Sequence, residues 1–117
     1  MFDDTLSDAL AAALARLADG CRHPAAVAAR LITAGCTGER GSCDCCPVAA
    51  WLAGQVTIPD GARLLAGIDN AEIITGTGDG EQVLAAAPVP QVIASFIVAF
   101  GEEGLYPQLA RPAGDAP

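Results

Sequence analysis

The spacing of apolar residues changes near Gly54, and this change restricts the fold more than any other feature of the sequence. Before Gly54, three segments place apolar residues three or four positions apart, which is the period of a helix with one buried face. After it, short segments separated by turn sequences have the character of strands, and a helical segment closes the chain. The order predicts an α+β fold with three N-terminal helices, a small antiparallel β-meander and a C-terminal helix.

The three N-terminal helices are delimited by proline and glycine. The first runs from Thr5, which with Asp8 resembles a short capping box, to Gly20. The second begins at Pro24 and ends near Gly35, and the third begins at Pro47 and ends at Gly54, because proline suits the first helical position. The side chains expected to face the core are Leu6, Leu10, Leu14 and Leu17, then Val27, Leu31 and Ile32, then Val48, Trp51 and Leu52.

The second half of the chain predicts a meander followed by an apolar helix. The strands are expected at Arg63 to Ile68, Ala71 to Thr75 and Gln82 to Ala87, with Gln55 to Ile58 as an optional extra strand. Pro88 and Pro90 then introduce a helix with a broad apolar stripe. The stripe comprises Val92, Ile93, Phe96, Ile97 and Phe100, and Tyr106 and Leu109 are expected to pack back. We predict one domain over residues 1–110 and a flexible tail over 111–117.

The charge of the chain bears on its partners and location. The six basic residues are all arginine, and 14 acidic residues give a net charge of −8. This field has the wrong sign for a surface that neutralises phosphates, so nucleic-acid binding is disfavoured. The acidity instead suits solubility, a basic partner surface or mimicry of nucleic acid. No apolar run approaches the roughly 20 residues that span a bilayer. Because the opening residues are acidic where a secretory signal is basic, we expect a soluble, cytoplasmic protein without membrane association.

Three of the five cysteines lie within the sequence GSCDCC, before the third helix. Zinc prefers four ligands and takes thiolates readily, and Cys36, Cys43, Cys45 and Cys46 form a candidate set. Cys43 and Cys46 have the spacing of one zinc knuckle, which is a pair of cysteine ligands. Cys36 supplies only one of the two ligands that a second knuckle requires. We therefore expect either no cofactor or one structural zinc ion.

Two other interpretations of these cysteines stay open. Cys43 and Cys46 form a CxxC pair at a helix N-terminus, where the helix dipole favours thiolate and hence thiol exchange. Helices rather than a strand precede the pair, and Asp44 opposes thiolate formation. The third interpretation is that the cysteines fill space, as buried free cysteines commonly do.

Other conspicuous residues have ordinary structural explanations. The glycines of GTGDG lie between two strand-like segments, which indicates a hairpin turn rather than a phosphate loop. His23 precedes Pro24 and is expected to cap the second helix. Trp51 is expected in the core, and Glu102 and Glu103 in a solvated turn. Because no pair of residues identifies an acid and a base, catalytic residues are not assigned and an enzyme is less favoured than a binding protein.

Several segments together resemble a known group of sequences. They are AARLITAGCTGERGSCDCCPVAAWL, VPQVIASFIVAF and GEEGLYPQL, which span most of residues 25–109. Their Cys-Pro-x-Ala-x-aromatic-Leu helix, Phe-rich C-terminal helix and Tyr-Pro-x-Leu end resemble those of an uncharacterised group of short proteins from GC-rich bacteria and their phages. The resemblance implies no activity. It implies a structural role for Cys46 and a framework of Pro47, Ala50, Trp51, Leu52, Pro90, Phe96, Phe100, Tyr106 and Pro107.

The function expected from the sequence is that of a small acidic accessory or regulatory protein that binds another protein. One alternative is a zinc-stabilised recognition module that uses the Cys36–Cys46 loop, and another is a thiol oxidoreductase that uses Cys43 and Cys46. A further alternative is mimicry of nucleic acid by an acidic stripe that includes Asp3, Asp4 and Asp8. The sequence leaves the partner, the oligomeric state and the contacting helix undetermined.

Overall fold

The described part of the chain has the predicted α+β architecture. The structure is a computed structural model that describes residues 3–39, 46–76 and 80–110. Its helices are α1 (Asp4–Ala18), α2 (Pro24–Ala34), α3 (Pro47–Ala53) and α4 (Gln91–Gly101), and its strands are β1 (Ala62–Ala66), β2 (Asn70–Thr75) and β3 (Gln82–Pro88). A short 3₁₀ helix, Pro107–Leu109, follows α4. The predicted tail, 111–117, lies outside the described residues.

The sheet is an antiparallel meander in the order β1-β2-β3. Its core face consists of two rows of paired residues, Leu64–Ile73–Ala85 and Ala66–Ala71–Ala87, all of which are buried. The register of β3 shifts between Ile73 and Ile74, which makes Leu84 the extra residue of a β-bulge. Alternation of buried and partly exposed residues along these strands therefore places one face of the sheet against the helices.

The helices cover the sheet from different directions. Helix α1 packs mainly against β3, α3 against β1, and α2 against α4. The Asp3 backbone N–H donates to the Leu84 carbonyl, and the Ala86 N–H donates to the Ser7 hydroxyl at 3.2 Å. These two bonds satisfy outward-facing backbone groups of edge strand β3, which would otherwise be open to pairing with another chain.

The start of α1 and one predicted strand differ from the sequence expectation. The N-cap is Asp3 rather than Thr5, because the Asp3 carboxylate accepts a hydrogen bond from the Leu6 N–H at 3.0 Å. Residues 55–58 form no strand. Instead, the Gln55 and Val56 N–H groups both donate to the Leu52 carbonyl, so this segment continues from the end of α3 as a turn.

The core agrees with most of the predicted positions. Leu10, Leu14, Leu17, Val27, Leu31, Val48, Leu52, Ile93, Phe96, Phe100 and Leu109 are all buried. The prediction for Ile32 was wrong, since 43% of its surface is exposed. The buried face of α2 is formed by Val27, Ala28 and Leu31, and Ile32 lies one residue, about 100° of helix rotation, beyond it. Trp51, Val92 and Ile97 are only partly buried.

Two glycines have conformations that their positions require. Gly35 ends α2 with φ +74°, the left-handed conformation typical of a helix C-terminus. Gly76 ends β2 with φ +89°, and a Cβ there would lie 2.3 Å from the Gly80 carbonyl oxygen. The second observation agrees with the predicted hairpin between β2 and β3, whose residues 77–79 lie outside the described ranges.

Candidate binding groove

Two cavities flank the outward side of α4. The first has a volume of about 410 Å³ and lies between α4 and the β1–β2 turn, with Ala66, Phe96, Ile97 and Gly101 among its walls. The second, about 540 Å³, extends toward Pro24 and the segment after α4. Ile68 and Val98 border both cavities, so the two lie next to each other. We refer to the two cavities together as the α4 groove.

The groove has an apolar floor because α4 is apolar on more than one side. Its sequence, QVIASFIVAFG, contains no charged residue. Ile93, Phe96 and Phe100 face the core, while Ile97 and Val98 are only partly buried. A helix whose apolar residues extend beyond one face normally has neighbours on more than one side, whereas part of this one faces the cavities.

Two exposed apolar side chains lie beside this floor. Ile68, in the β1–β2 turn, is 51% exposed, and Leu105, after α4, is 46% exposed. Both also line the groove, Ile68 at both cavities and Leu105 at the second. Isolated exposed apolar residues are common on protein surfaces. Their position beside the cavities makes this surface a candidate binding site.

Acidic side chains form the edge of the groove. Asp69, Glu102 and Glu103 line it, and all three residues are exposed. Among the described residues that border the two cavities, none is basic. The predicted acidic turn after α4 is thus confirmed for Glu102 and Glu103. A third acidic residue, Asp69, borders the same groove. We call these three residues the acidic rim.

Backbone hydrogen bonds hold the walls of the groove in place. In the β1–β2 turn, the Gly67 N–H donates to the Asn70 carbonyl at 3.1 Å. The Asp69 carbonyl accepts from the Val89 N–H at 3.0 Å, which links this turn to the segment that leads into α4. At the other end, the Glu102 N–H donates to the Val98 carbonyl at 2.8 Å. Both sides of the groove are therefore attached to regular secondary structure.

Tyr106 closes the second cavity in an uncommon backbone conformation. It has φ +58° and is the only described non-glycine residue in the left-handed region. Its ring stacks on Phe96 with the centroids 5.5 Å apart, and Phe96 stacks on Phe100 in turn. Bulky residues seldom adopt this conformation unless their surroundings fix it. The stack thus connects a groove wall directly to the core.

The predicted metal ligands are placed only in part. Cys43 and Cys45 lie outside the described residues, so the zinc prediction for Cys36, Cys43, Cys45 and Cys46 stays a prediction. No group of three or more His, Cys, Asp or Glu side chains suited to a metal occurs within 3–39, 46–76 and 80–110. Native mass spectrometry checks the zinc prediction through the added mass of one bound ion.

Cys46 occupies a structural position at the start of α3. It is the N-cap residue, it is only 6% exposed, and its Sγ accepts a hydrogen bond from the Ala49 N–H at 3.4 Å. Capping a helix with a side-chain acceptor satisfies a backbone donor that otherwise lacks a partner. Burial also limits attack by another thiol. This geometry favours a role for Cys46 in packing, while its proposed redox partner Cys43 lies outside the described ranges.

Cys36 and Cys21 lie at opposite ends of α2, as expected. Both are partly buried free thiols, and the Cys21 thiol donates to the Leu17 carbonyl at 3.4 Å. Burial raises the pKa of the Cys36 thiol above its ordinary value. This shift favours the neutral thiol over the thiolate.

The other residues singled out from the sequence are not among those that line the groove. His23 occupies the N-cap position of α2, but its side chain makes no capping hydrogen bond. Trp51 is partly exposed and borders a shallow depression with Arg30 and Thr33 of α2. Asp3, Asp4 and Asp8 are exposed at the start of α1. None of the helices in the described ranges combines the length and apolar character needed to cross a membrane.

Comparisons with protein families, curated proteins and solved structures found no match to this chain. The groove is consequently described from its own geometry alone. Sequence patterns did not predict it, although one signal was available. The apolar residues of α4 extend beyond the width of a single core-facing stripe, and the uncharged sequence from Gln91 to Gly101 is typical of a helix with contacts on two sides.

Proposed function

We propose that the protein is a small acidic accessory or regulatory protein that binds another protein through the α4 groove. The observation that carries the proposal is the apolar outward side of α4, where Val98 and the neighbouring Ile68 line two cavities. Covering such a surface removes apolar area from water, and this is the main favourable contribution in most protein associations. A partner side chain enclosed between α4 and the β1–β2 turn would provide the buried centre that typically dominates binding energy.

The ionisable groups of the groove favour recognition over acid–base catalysis. Among the described lining residues these groups are the acidic rim, Cys46 and Tyr106. The rim acids Asp69, Glu102 and Glu103 are all exposed. Exposed acids at the edge of an apolar floor instead resemble a protein interface, with a polar rim around an apolar centre.

Site-specific photo-crosslinking in cells that naturally contain the protein tests the proposal. A photoreactive residue replaces Ile68 in one variant and Ile32 in a matched control. Both positions are exposed, at 51% and 43%, but Ile32 lies on α2 and does not line the groove. We expect a protein adduct from position 68 and little or none from position 32.

Two results would count against the proposed function. Absence of a protein adduct at position 68 would contradict protein binding at the groove. Adducts of equal yield at both positions would show nonspecific encounters across the surface. Sedimentation and thermal melting of each variant are needed alongside, since both variants should remain folded if their side chains are exposed as described.

A further inference from the structure

We infer that the partner presents a basic amphipathic helix, which lies along α4 with its apolar side chains in the groove. This inference rests on the proposed function and adds the chemistry and shape of the occupant. It follows from the charge of the rim, the form of the two cavities and the net charge of the chain.

The acidic rim selects the charge of the occupant. Asp69 lies on the β1–β2 turn and Glu102 and Glu103 lie at the end of α4, so acids are present on both elements that enclose the groove. Since no described lining residue is basic, an acidic segment would meet charges of the same sign at the rim. Lysine or arginine at the edge of the bound segment would instead pair with exposed carboxylates, a contact that speeds association and fixes orientation.

The shape of the groove suits a helix. Ile68 and Val98 line both cavities, so an occupant that fills both must present apolar groups at more than one point along its length. A helix does so with residues at i, i+3, i+4 and i+7, the pattern used by amphipathic helices that bind in apolar grooves. Helix α4 has 11 residues and is about 16 Å long, which matches roughly three turns of a second helix.

The same charges disfavour a second copy of this chain as the occupant. The chain has a net charge of −8, and symmetric pairing through the groove would bring two acidic rims together. Three of the four arginines in the described ranges make contacts away from the groove. Arg63 pairs with Glu81, Arg30 donates to the Arg16 carbonyl, and Arg16 donates to Gln55. A basic segment of a different protein therefore fits the groove better than another copy.

Three synthetic peptides test the inference on the full chain. The first has about 14 residues, about 21 Å as a helix, with leucine at i, i+3, i+4 and i+7 and mostly lysine elsewhere. The second replaces every lysine with glutamate, and the third replaces every leucine with serine. We expect the first peptide to shift the methyl NMR signals of Ile68, Val98 and Leu105. The other two should bind at least about tenfold more weakly, because each lacks one of the two required features.

Two double variants separate the rim from the general acidity of the protein. Glu102→Gln with Glu103→Gln removes two rim charges, and Asp4→Asn with Asp8→Asn removes two exposed charges of α1. The change in net charge is the same in both. We expect the rim variant to bind the leucine–lysine peptide about tenfold more weakly, and the α1 variant to stay within about threefold of the wild type.

The outcomes distinguish this inference from the function on which it rests. Equal weakening by both double variants, no binding of the leucine–lysine peptide, or tighter binding of the glutamate peptide would overturn the basic helix. So would a dimer in sedimentation that Val98→Gln dissociates, since a second copy would then occupy the groove. A protein adduct at position 68 together with any of these results would leave protein binding intact. Absence of that adduct would remove the proposed function itself.

Discussion

Helices α1 and α4 contribute to the same core but differ in what they present outward. In α1, Leu10, Leu14 and Leu17 are buried, and the exposed residues are alanines and polar or charged residues. In α4, Ile93, Phe96 and Phe100 are buried, yet Ile97 and Val98 extend the apolar surface to the other side. The core requires only one face of each helix. Ile97 also packs against the core, whereas Val98 is not among the core residues, and the proposed binding would account for this additional apolar surface of α4.

Removing the inward aromatic of α4 should have the largest effect on stability. Phe96 is fully buried and stacks on both Phe100 and Tyr106. We expect Phe96→Ala to lower the free energy of unfolding by about 3–5 kcal/mol, because it leaves a cavity at the centre of the core. Urea denaturation measures the change. A loss below about 1 kcal/mol would show that Phe96 and its face of α4 do not belong to the core.

Truncating a buried side chain of α1 should lower the free energy of unfolding by a similar or somewhat smaller amount. Leu14 is only 1% exposed, and its truncation to alanine removes fewer buried atoms than truncation of a phenylalanine. We expect Leu14→Ala to cost about 2–5 kcal/mol in the same denaturation experiment. Ala15, which is exposed on the next position of α1, provides the control. Replacing Ala15 with serine should cost less than about 1 kcal/mol.

The two helices also differ in their N-caps. A variant of the α1 cap measures how much that cap contributes to stability. The Asp3 side chain caps α1, while Pro90 precedes α4 without a side-chain cap. We expect Asp3→Ala to destabilise the protein by about 1 kcal/mol, and Asp3→Asn to have little effect, because asparagine caps helices as well as aspartate. Thermal melting of both variants provides the measurement. Equal destabilisation by the two would indicate that the charge of Asp3, not its cap, stabilises the protein.

A change on the outward face of α4 should separate stability from binding. Val98 is partly buried at the junction of the two cavities. We expect Val98→Gln to cost less than about 1 kcal/mol in unfolding free energy, and to weaken binding of the leucine–lysine peptide at least about tenfold. Ile32→Gln, on exposed α2 surface, should change neither quantity appreciably. Strong destabilisation by Val98→Gln would assign this side chain to the core instead.

The smallest change in stability is expected for the replacement of Cys36, which lies outside both α1 and α4. Its pKa is raised by burial, so the neutral thiol stabilises the folded state relative to the thiolate. This contribution is complete below the ordinary thiol pKa of 9.0 and is lost as the pH rises through the higher pKa of the folded chain. Wild-type unfolding midpoints should therefore decrease slightly more than those of Cys36→Ala above pH 9. Parallel curves would contradict the burial of this thiol.

Local patterns in the sequence predicted the regular elements of the fold. The prolines at positions 24 and 47, and the left-handed Gly35, mark helix boundaries through local backbone geometry. The cap of α1 was assigned to the wrong residue because both Asp3 and Thr5 are good capping residues. The exposure of Ile32 was missed for a related reason, since a residue at the edge of a stripe is buried only if a neighbouring element covers it.

The candidate site could not be predicted from such patterns. The groove depends on where the β1–β2 turn meets α4, and Ile68 and Val98 are 30 positions apart in the sequence. The sequence did predict an acidic turn at Glu102 and Glu103, but not that Asp69 joins it. The cysteine cluster had a stronger local signal than the groove. Of its proposed ligands only Cys36 and Cys46 are described, and both are at least partly buried.

Hydrogen–deuterium exchange on the full chain, with and without the leucine–lysine peptide, tests the difference between α1 and α4 most directly. If the outward side of α4 is the binding surface, the peptide should increase protection of residues 67–69 and 94–103 and leave the start of α1 unchanged. Protection confined to residues 4–9 of α1, near the exposed acids Asp4 and Asp8, would contradict the account. The acidic stripe of α1 would then be the contact surface.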